Sequence, residues 1–231
     1  MKKFVLIIII VFFPFISIAH MGHYNKYNKI EMEIFRNGEL IGYNYYFFNR
    51  NGDETIVANQ LKFSVKLLGT TIFKVEAYGE EKYKKNQLIT YKSKTLQNNK
   101  EKFVNLILNK NTNMFEIKGS SYNGEASKNF VIGNWWNHKI LQADNQISPI
   151  SGSIKKQVVN FVGKEKINLY GKIYEVDHFT LKSKDKNLPK DKKLNFNIWY
   201  DRDSSTIVKV SYSRMGNWAV SYTHLRAHET N

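Results

Sequence analysis

The sequence predicts an all-β, mainly antiparallel fold: a single curved meander sheet that forms a half-barrel or a barrel. Apolar and polar residues alternate with a period of two in many segments of strand length. Asn-Gly pairs and clusters of Asn and Lys separate these segments as turns do. The first half of the chain shows no sustained 3.6-residue periodicity. Successive strands with short turns favour a meander over βαβ units, and such a sheet must twist and curl.

The first half of the chain predicts a series of hairpins. Ile30, Met32 and Ile34 alternate with other residues, and Asn37-Gly38 then provides a two-residue turn. The returning strand, residues 40–49, places one set of side chains on one face: Ile41, Tyr43, Tyr45 and Phe47. The next strand, residues 55–67, is expected to point these residues inward: Val57, Leu61, Phe63 and Val65. Further strands are expected at residues 71–83, 88–97, 103–109 and 114–118.

The second half predicts a break in the sheet and then more strands. Residues 129–146 contain two adjacent tryptophans and are expected to form a short helix or an ordered loop over the sheet. Residues 185–193, which include Pro189, predict a charged hairpin loop. Neither a repeat nor a low-complexity linker divides the chain, so residues 20–219 are expected to form one domain. The strands resume at residues 155–162, 167–170, 172–181, 194–200 and 207–213.

The N-terminus has the pattern of a secretory signal peptide. A basic start, residues 1–3, precedes an apolar run that ends in Ser17-Ile18-Ala19. The run is shorter than the roughly 20 residues that cross a bilayer, and Pro14 would kink a helix there. Cleavage of residues 1–19 near Ala19 is therefore favoured over membrane anchoring, and a periplasmic or secreted location is expected. The chain has no Cys, so an exported domain must be held by its core alone.

Residues 220–230 resemble the in-frame translation of a DNA-sequencing adapter, a contaminant of assembled reads. This resemblance implies that residues 220–231 are a non-native tail and that the natural domain is cut short near Ala219. His224 and His228 have the i, i+4 spacing of a metal-binding pair, but they fall in this tail and receive no metal-binding role here.

The net charge of +15 does not predict a nucleic-acid partner. Nucleic-acid readers depend on Arg for bidentate contacts, whereas nearly every basic residue here is Lys and the lysines are spread along the chain. Scattered Lys on strands commonly keeps sheet edges from aggregating. An anionic envelope surface remains open as a partner.

Several segments together resemble a known family. They are the opening hairpin at residues 34–42, Trp136-Asn137, the stretch 148–153 with Gly152, and the strands at 198–201 and 207–210. In this order they resemble an uncharacterised family of exported, periplasmic bacterial β-rich proteins, a domain of unknown function, over residues 29–218. The resemblance implies a curved antiparallel sheet and a Gram-negative periplasm. It brings no known reaction and no catalytic residue.

The motifs of common enzymes are missing from the sequence. Without Cys, thiol catalysis and thiolate metal sites are excluded. The sequence contains neither a G-x-S-x-G elbow nor a Gly-rich phosphate loop, and His20 and His23 lie at the expected new N-terminus. We therefore expect no enzymatic activity, no cofactor and no metal. A hydrolase site assembled in space around His138 or His178 stays open as an alternative.

One cluster is a candidate for ligand contact: Trp135, Trp136, Asn137 and His138. Aromatic faces, an amide and an imidazole suit the mouth of a ligand pocket. In the alternative interpretation, the tryptophans plug one end of the sheet and Asn137 caps the segment that follows. Tyr45 and Phe47 are further candidates, as aromatic residues that line a cavity or fill a core.

The sequence thus favours an exported, non-enzymatic protein that binds or carries a hydrophobic or amphipathic envelope ligand. The main alternative is a structural or interaction protein whose Lys-rich surface contacts anionic lipid or polysaccharide. The oligomeric state is not predictable from these patterns.

Overall fold

The computed structural model describes residues 24–189, 192–213 and 217–226, with residues 213 and 217–226 as backbone alone. In these residues it contains fifteen strands and a 3-10 helix, His138–Leu141, which follows the ninth strand. The strands are β1 (Lys29–Arg36), β2 (Glu39–Asn51), β3 (Glu54–Leu67), β4 (Thr70–Lys84), β5 (Gln87–Gln97), β6 (Lys100–Asn109), β7 (Met114–Gly119), β8 (Asn123–Ser127), β9 (Val131–Ile132), β10 (Asn145–Ile147), β11 (Ile154–Leu169), β12 (Lys172–Ser183), β13 (Asn195–Asp201), β14 (Thr206–Ser213) and β15 (Asn217–Arg226).

The strands lie side by side in the order β8-β7-β6-β5-β4-β3-β2-β1-β15-β14-β13-β12-β11-β10-β9. Two antiparallel meanders, β1–β8 and β11–β15, are joined by the pairing of β1 with β15. β9 and β10 form a short parallel pair beside the start of β11. The expected all-β antiparallel class is confirmed. The expected single meander is corrected to two, and the sheet stays open because β8 and β9 end the order without pairing with each other.

The core lies on the inner face of this curled sheet. On β1, Ile30, Met32 and Ile34 are all buried, as their alternation predicted. On β3 the expected inward residues also belong to the core: Val57 and Val65 are buried, and Leu61 and Phe63 pack against them. Apolar burial on this face is the main stabilising term for the fold.

On β2, Tyr43, Tyr45 and Phe47 lie on the outer face of the sheet, opposite the core. The register shifts by one residue between Ile34 and Phe35, so that Ile34 pairs with Gly42 where an unbroken hairpin would pair it with Ile41. A one-residue shift moves every later side chain to the other face of a strand. Asn44, Tyr46 and Phe48 are therefore buried, and Tyr45 and Phe47 lie on the outer face.

Residues 128–153, here called the plug segment, follow β8, contain β9, the 3-10 helix and β10, and contact the inner face of β4 and β5. The expected short helix is confirmed as the 3-10 helix, and the Asn137 side chain caps it by accepting a hydrogen bond from the Lys139 N–H at 3.0 Å. Trp136 is 1% exposed and packs edge-on against three rings whose centroids lie 5.1 to 5.9 Å away: Tyr24, Phe48 and Tyr83. The plug segment therefore fills one end of the curled sheet.

Both predicted terminal segments lie wholly or partly outside the described residues. The predicted signal peptide, residues 1–19, and His20 and His23 lie outside them. Residues 217–226 form β15 between β1 and β14, while the expectation that residues 220–231 are a non-native tail stays a prediction. Within the described part of the chain, no helix is long and apolar enough to cross a membrane.

Gly42 sits at the register shift, and we expect its substitution to destabilise the fold. A Cβ there would lie 2.1 Å from the Lys62 carbonyl oxygen and 2.4 Å from the Phe63 Cβ. Gly42→Ala should lower the free energy of unfolding by about 1–3 kcal/mol, the usual range for overpacking. Urea unfolding followed by tryptophan fluorescence measures this. Gly163→Ala is the matched control, since a Cβ at Gly163 meets nothing within 4 Å. Equal effects of the two substitutions would contradict the prediction.

Candidate functional site

A cavity of about 310 Å³ lies inside the curled sheet, between the inner faces of the two meanders and the plug segment. Its volume falls within the range of small-molecule sites, about 300–1,000 Å³. Its walls are mainly apolar, with polar groups concentrated on β2–β5. The apolar side chains include Ile34, Leu61, Phe63, Ala77, Trp135 and Phe196, and the polar ones include Tyr46, Asn59, Glu81, Tyr91, Ser93, Thr95 and Asn134.

Glu81, on the inner face of β4, is a carboxylate that is only 2% exposed. It accepts hydrogen bonds from the Asn134 amide, the Tyr83 hydroxyl and, at 2.9 Å, the Trp136 indole N–H. Burial raises the pKa of Glu81 to about 7, although these three hydrogen bonds each act to lower it. The group is therefore close to half ionised at neutral pH.

A second set of hydrogen bonds holds the other end of the plug segment. The Tyr91 and Ser93 hydroxyls of β5 both donate to the Pro149 carbonyl, at 3.0 and 2.6 Å. Tyr46 of β2 adds a contact, because its hydroxyl accepts the Trp135 N–H at 3.3 Å and an Asn44 amide hydrogen at 2.8 Å. The polar groups of the inner face therefore hold the plug segment in place, and the cavity lies between these contacts.

Two polar atoms in the cavity wall lack a hydrogen-bond partner among the described residues. They are the Thr95 hydroxyl oxygen and the Asn134 side-chain oxygen, on residues that are 3% and 7% exposed. A buried polar group without a partner costs about 1–3 kcal/mol. The indole nitrogen of Trp199 is also buried and has no partner within the described ranges, but Trp199 is not among the residues of the cavity wall.

The structure brings only part of the predicted site together. Trp135 lines the cavity and packs on Phe196, with ring centroids 5.0 Å apart. Its three neighbours are buried in the plug segment: Trp136, Asn137 and His138. Tyr45 and Phe47 lie on the outer face of β2, where Lys29 sits 4.4 Å from the Tyr45 ring centroid and 5.2 Å from that of Phe47. They are therefore not part of the cavity wall.

Glu81, Asn134 and Thr95 were not predicted as site residues. A signal for Glu81 exists, since the period-two set Val75, Ala77, Gly79, Glu81 and Tyr83 places a carboxylate on the buried face of β4. Two of the partners of Glu81, Asn134 and Trp136, come from the plug segment, far along the chain, and no local pattern places them there.

The two histidines considered for catalysis lie in different surroundings. The Tyr24 hydroxyl accepts the His138 backbone N–H at 3.0 Å and lies 2.7 Å from the Nδ1 of the His138 ring. The His178 Nδ1 lies 2.6 Å from a Glu165 carboxylate oxygen, and its Nε2 lies 3.0 Å from the Asn197 amide oxygen. Among the described residues, no group of three or more His, Cys, Asp or Glu side chains is arranged to hold a metal.

Glu81→Gln should change how stability depends on pH. The pKa of Glu81 is raised on folding from 4.5 to about 7, so the folded state holds the proton more tightly than the unfolded chain does. Protonated Glu81 therefore stabilises the folded state below pH 4.5. The free energy of unfolding falls by about 3 kcal/mol as the pH rises to 7. Relative to wild type, Glu81→Gln should gain that amount between pH 4.5 and pH 8 in urea unfolding. Glu80→Gln, at the exposed neighbouring carboxylate, is the control, and a pH-independent difference for Glu81→Gln would refute the assignment.

Comparison with known proteins identifies the fold. No curated protein matches this sequence. The chain is similar to the crystal structure of a beta-barrel-like protein of domain of unknown function DUF1849 from Brucella abortus, with a TM-score of 0.57 and 10% identity. That match covers 87% of this chain and 96% of the other. A DUF1329 family protein from Desulfovibrio piger has a TM-score of 0.21 and 11% identity over 90% of this chain and 89% of that one, which is too low to support a shared fold.

A family model also covers most of the chain. It describes a domain of unknown function, DUF6134, and matches residues 32–220. The resemblance noted from the opening hairpin and the Trp136-Asn137 region, to a β-rich family of unknown function, is confirmed by this match. The chain therefore belongs to the DUF6134 family of domains of unknown function.

Proposed function

We propose that this protein is a non-enzymatic, exported protein that binds or carries a hydrophobic or amphipathic ligand of the cell envelope in the cavity of the curled sheet. The proposal rests on the cavity, which has mainly apolar walls and two buried polar atoms that lack a partner among the described residues. The DUF1849 structure shares the fold at 10% identity and adds nothing about a ligand.

The distribution of polar and apolar groups favours an amphipathic ligand. Leu61, Phe63 and Phe196 offer apolar surface, whose burial against an apolar ligand releases about 25 cal/mol per Å². Glu81 and Thr95 lie on the same face of neighbouring strands. Ala77, four residues before Glu81, pairs with Thr95, which separates Glu81 from Thr95 by about 13 Å at 3.3 Å per residue. Polar anchor points at two places fix the orientation of a ligand whose body contacts the apolar wall.

The surroundings of the histidines support a non-enzymatic role. Acyl-transfer sites of the Ser-His-Asp type need a hydroxyl and a carboxylate on opposite sides of one imidazole. Here the Tyr24 hydroxyl contacts His138 and the Glu165 carboxylate contacts His178. Tyr24 is fully buried, so its hydroxyl has no access to a substrate.

The alternative, recognition of an anionic surface by lysines, has less support. On the outer face of β3 and β4, Lys62 and Lys74 both lie within 3.1 Å of a Glu76 carboxylate oxygen, and Lys82 lies 2.9 Å from Glu54. A shallow outer groove beside them combines both signs of charge. Its charged side chains are Glu76, Glu80, Lys92, Lys94, Glu101 and Lys102.

Native mass spectrometry of the full chain, expressed in a Gram-negative host, tests the proposal. We expect a non-covalent mass that organic extraction removes, and we expect Ala77→Leu to abolish it. Ala77 is 7% exposed and lines the cavity, so a larger aliphatic side chain would occupy the space of the ligand without burying a polar group.

Ala58→Leu makes the same change on a neighbouring strand, at a position between the inward residues Val57 and Asn59. This control should keep the bound mass. If wild type carries no ligand and also fails to bind added 1-octanol, or if Ala77→Leu and Ala58→Leu bind equally, the cavity is not the binding site. Binding that disappears in high salt would instead favour the charged surface.

A further inference from the structure

We propose that the polar group of the ligand is a hydrogen-bond donor, and that an aliphatic primary ammonium group fits best, held between the Glu81 carboxylate and the Asn134 side-chain oxygen. This inference rests on the proposed binding function and adds the chemical class of the ligand to it.

Around Glu81 and Asn134, hydrogen-bond acceptors outnumber hydrogen-bond donors. A carboxylate offers about four acceptor positions, and three of those of Glu81 are used by Asn134, Tyr83 and Trp136. Asn134 directs its NH₂ group toward Glu81, and the oxygen of the same amide has no partner among the described residues. Both residues line the cavity. A ligand that brings donors would satisfy both acceptors.

The charge at this corner selects among donors. The three groups that hydrogen bond to Glu81 are an amide, a phenol and an indole, all of them neutral. A buried carboxylate without a counter-charge is costly. An ammonium group supplies three N–H donors and the missing positive charge, whereas a carboxylate or phosphate group would be repelled. The chain has a net charge of +15, so its overall field does not attract a cation, and the selection has to be local.

Proton release provides a signature of this arrangement. The titratable groups that interact with Glu81 from β2, β4 and β5 are the phenols of Tyr46, Tyr83 and Tyr91. Burial raises the pKa of all three phenols, so they do not titrate near neutral pH. Glu81, whose pKa burial raises to about 7, is mostly protonated at pH 6. Binding of an ammonium group would ionise it and release up to about one proton per ligand.

Isothermal titration calorimetry with three straight-chain probes of equal length tests the proposal on ligand-free wild-type protein: octylammonium, 1-octanol and octanoate. At pH 8 octylammonium should bind at least about tenfold more tightly than octanoate. Glu81→Gln removes the negative charge and should reduce this preference to within about threefold. Glu80→Gln makes the same change at an exposed carboxylate outside the cavity wall, so it is the matched control and should keep the preference for octylammonium.

The second measurement needs no variant. Titrations at pH 6 in two buffers with different ionisation enthalpies should show proton release with octylammonium and none with 1-octanol. Equal or tighter binding of octanoate, or octylammonium binding without proton release, would overturn the ammonium assignment. In both of those cases 1-octanol binding that Ala77→Leu abolishes would leave the proposed binding function intact. If no probe binds wild type, the proposed function itself fails.

Discussion

The buried carboxylate of Glu81 is the contact on which the arrangement of the plug segment depends. It accepts hydrogen bonds from Asn134 and Trp136 of that segment and from Tyr83 of its own strand. An apolar side chain in its place would leave three buried donors without an acceptor, at a cost of about 1–3 kcal/mol each. The Pro149 carbonyl, held by Tyr91 and Ser93, fixes the other end of the segment. The cavity is the space between these two sets of hydrogen bonds.

Local patterns carried most of the information that predicted the strands. Alternation identifies a strand because successive side chains point to opposite faces, and the inward sets of β1 and β3 followed directly from it. The first hairpin was predictable for a reason of backbone geometry. Asn37 and Gly38 have φ values of 51° and 84°, a left-handed conformation that Gly and Asn adopt more easily than other residues. Tyr45 and Phe47 were assigned a shared face correctly, since alternation alone determines that.

The features that were not predictable depend on one added residue or on distant pairing. The extra residue in β2, Ile41, sends Tyr45 and Phe47 outward, and alternation within β2 reads the same with or without it. The pairing of β1 with β15 joins the two ends of the described chain, so no turn motif in the sequence predicts it. Asn134 and Trp136 contact Glu81 only after the plug segment has folded back over β4. The candidate site therefore depends on tertiary contacts, whereas the strands that support it depend on local sequence.

The two ends of the inner face contribute differently to the molecule. At one end, Trp136 packs tightly with Tyr24, Phe48 and Tyr83, and a chain without disulfides needs such packing for its stability. Further along the same face lies the cavity, and its wall includes Thr95, whose hydroxyl has no hydrogen-bond partner in the described part of the chain. Valine would fill the same space as Thr95 without an unpaired hydroxyl. In a fold of ordinary marginal stability, an avoidable cost of this kind argues for a ligand that supplies the missing partner.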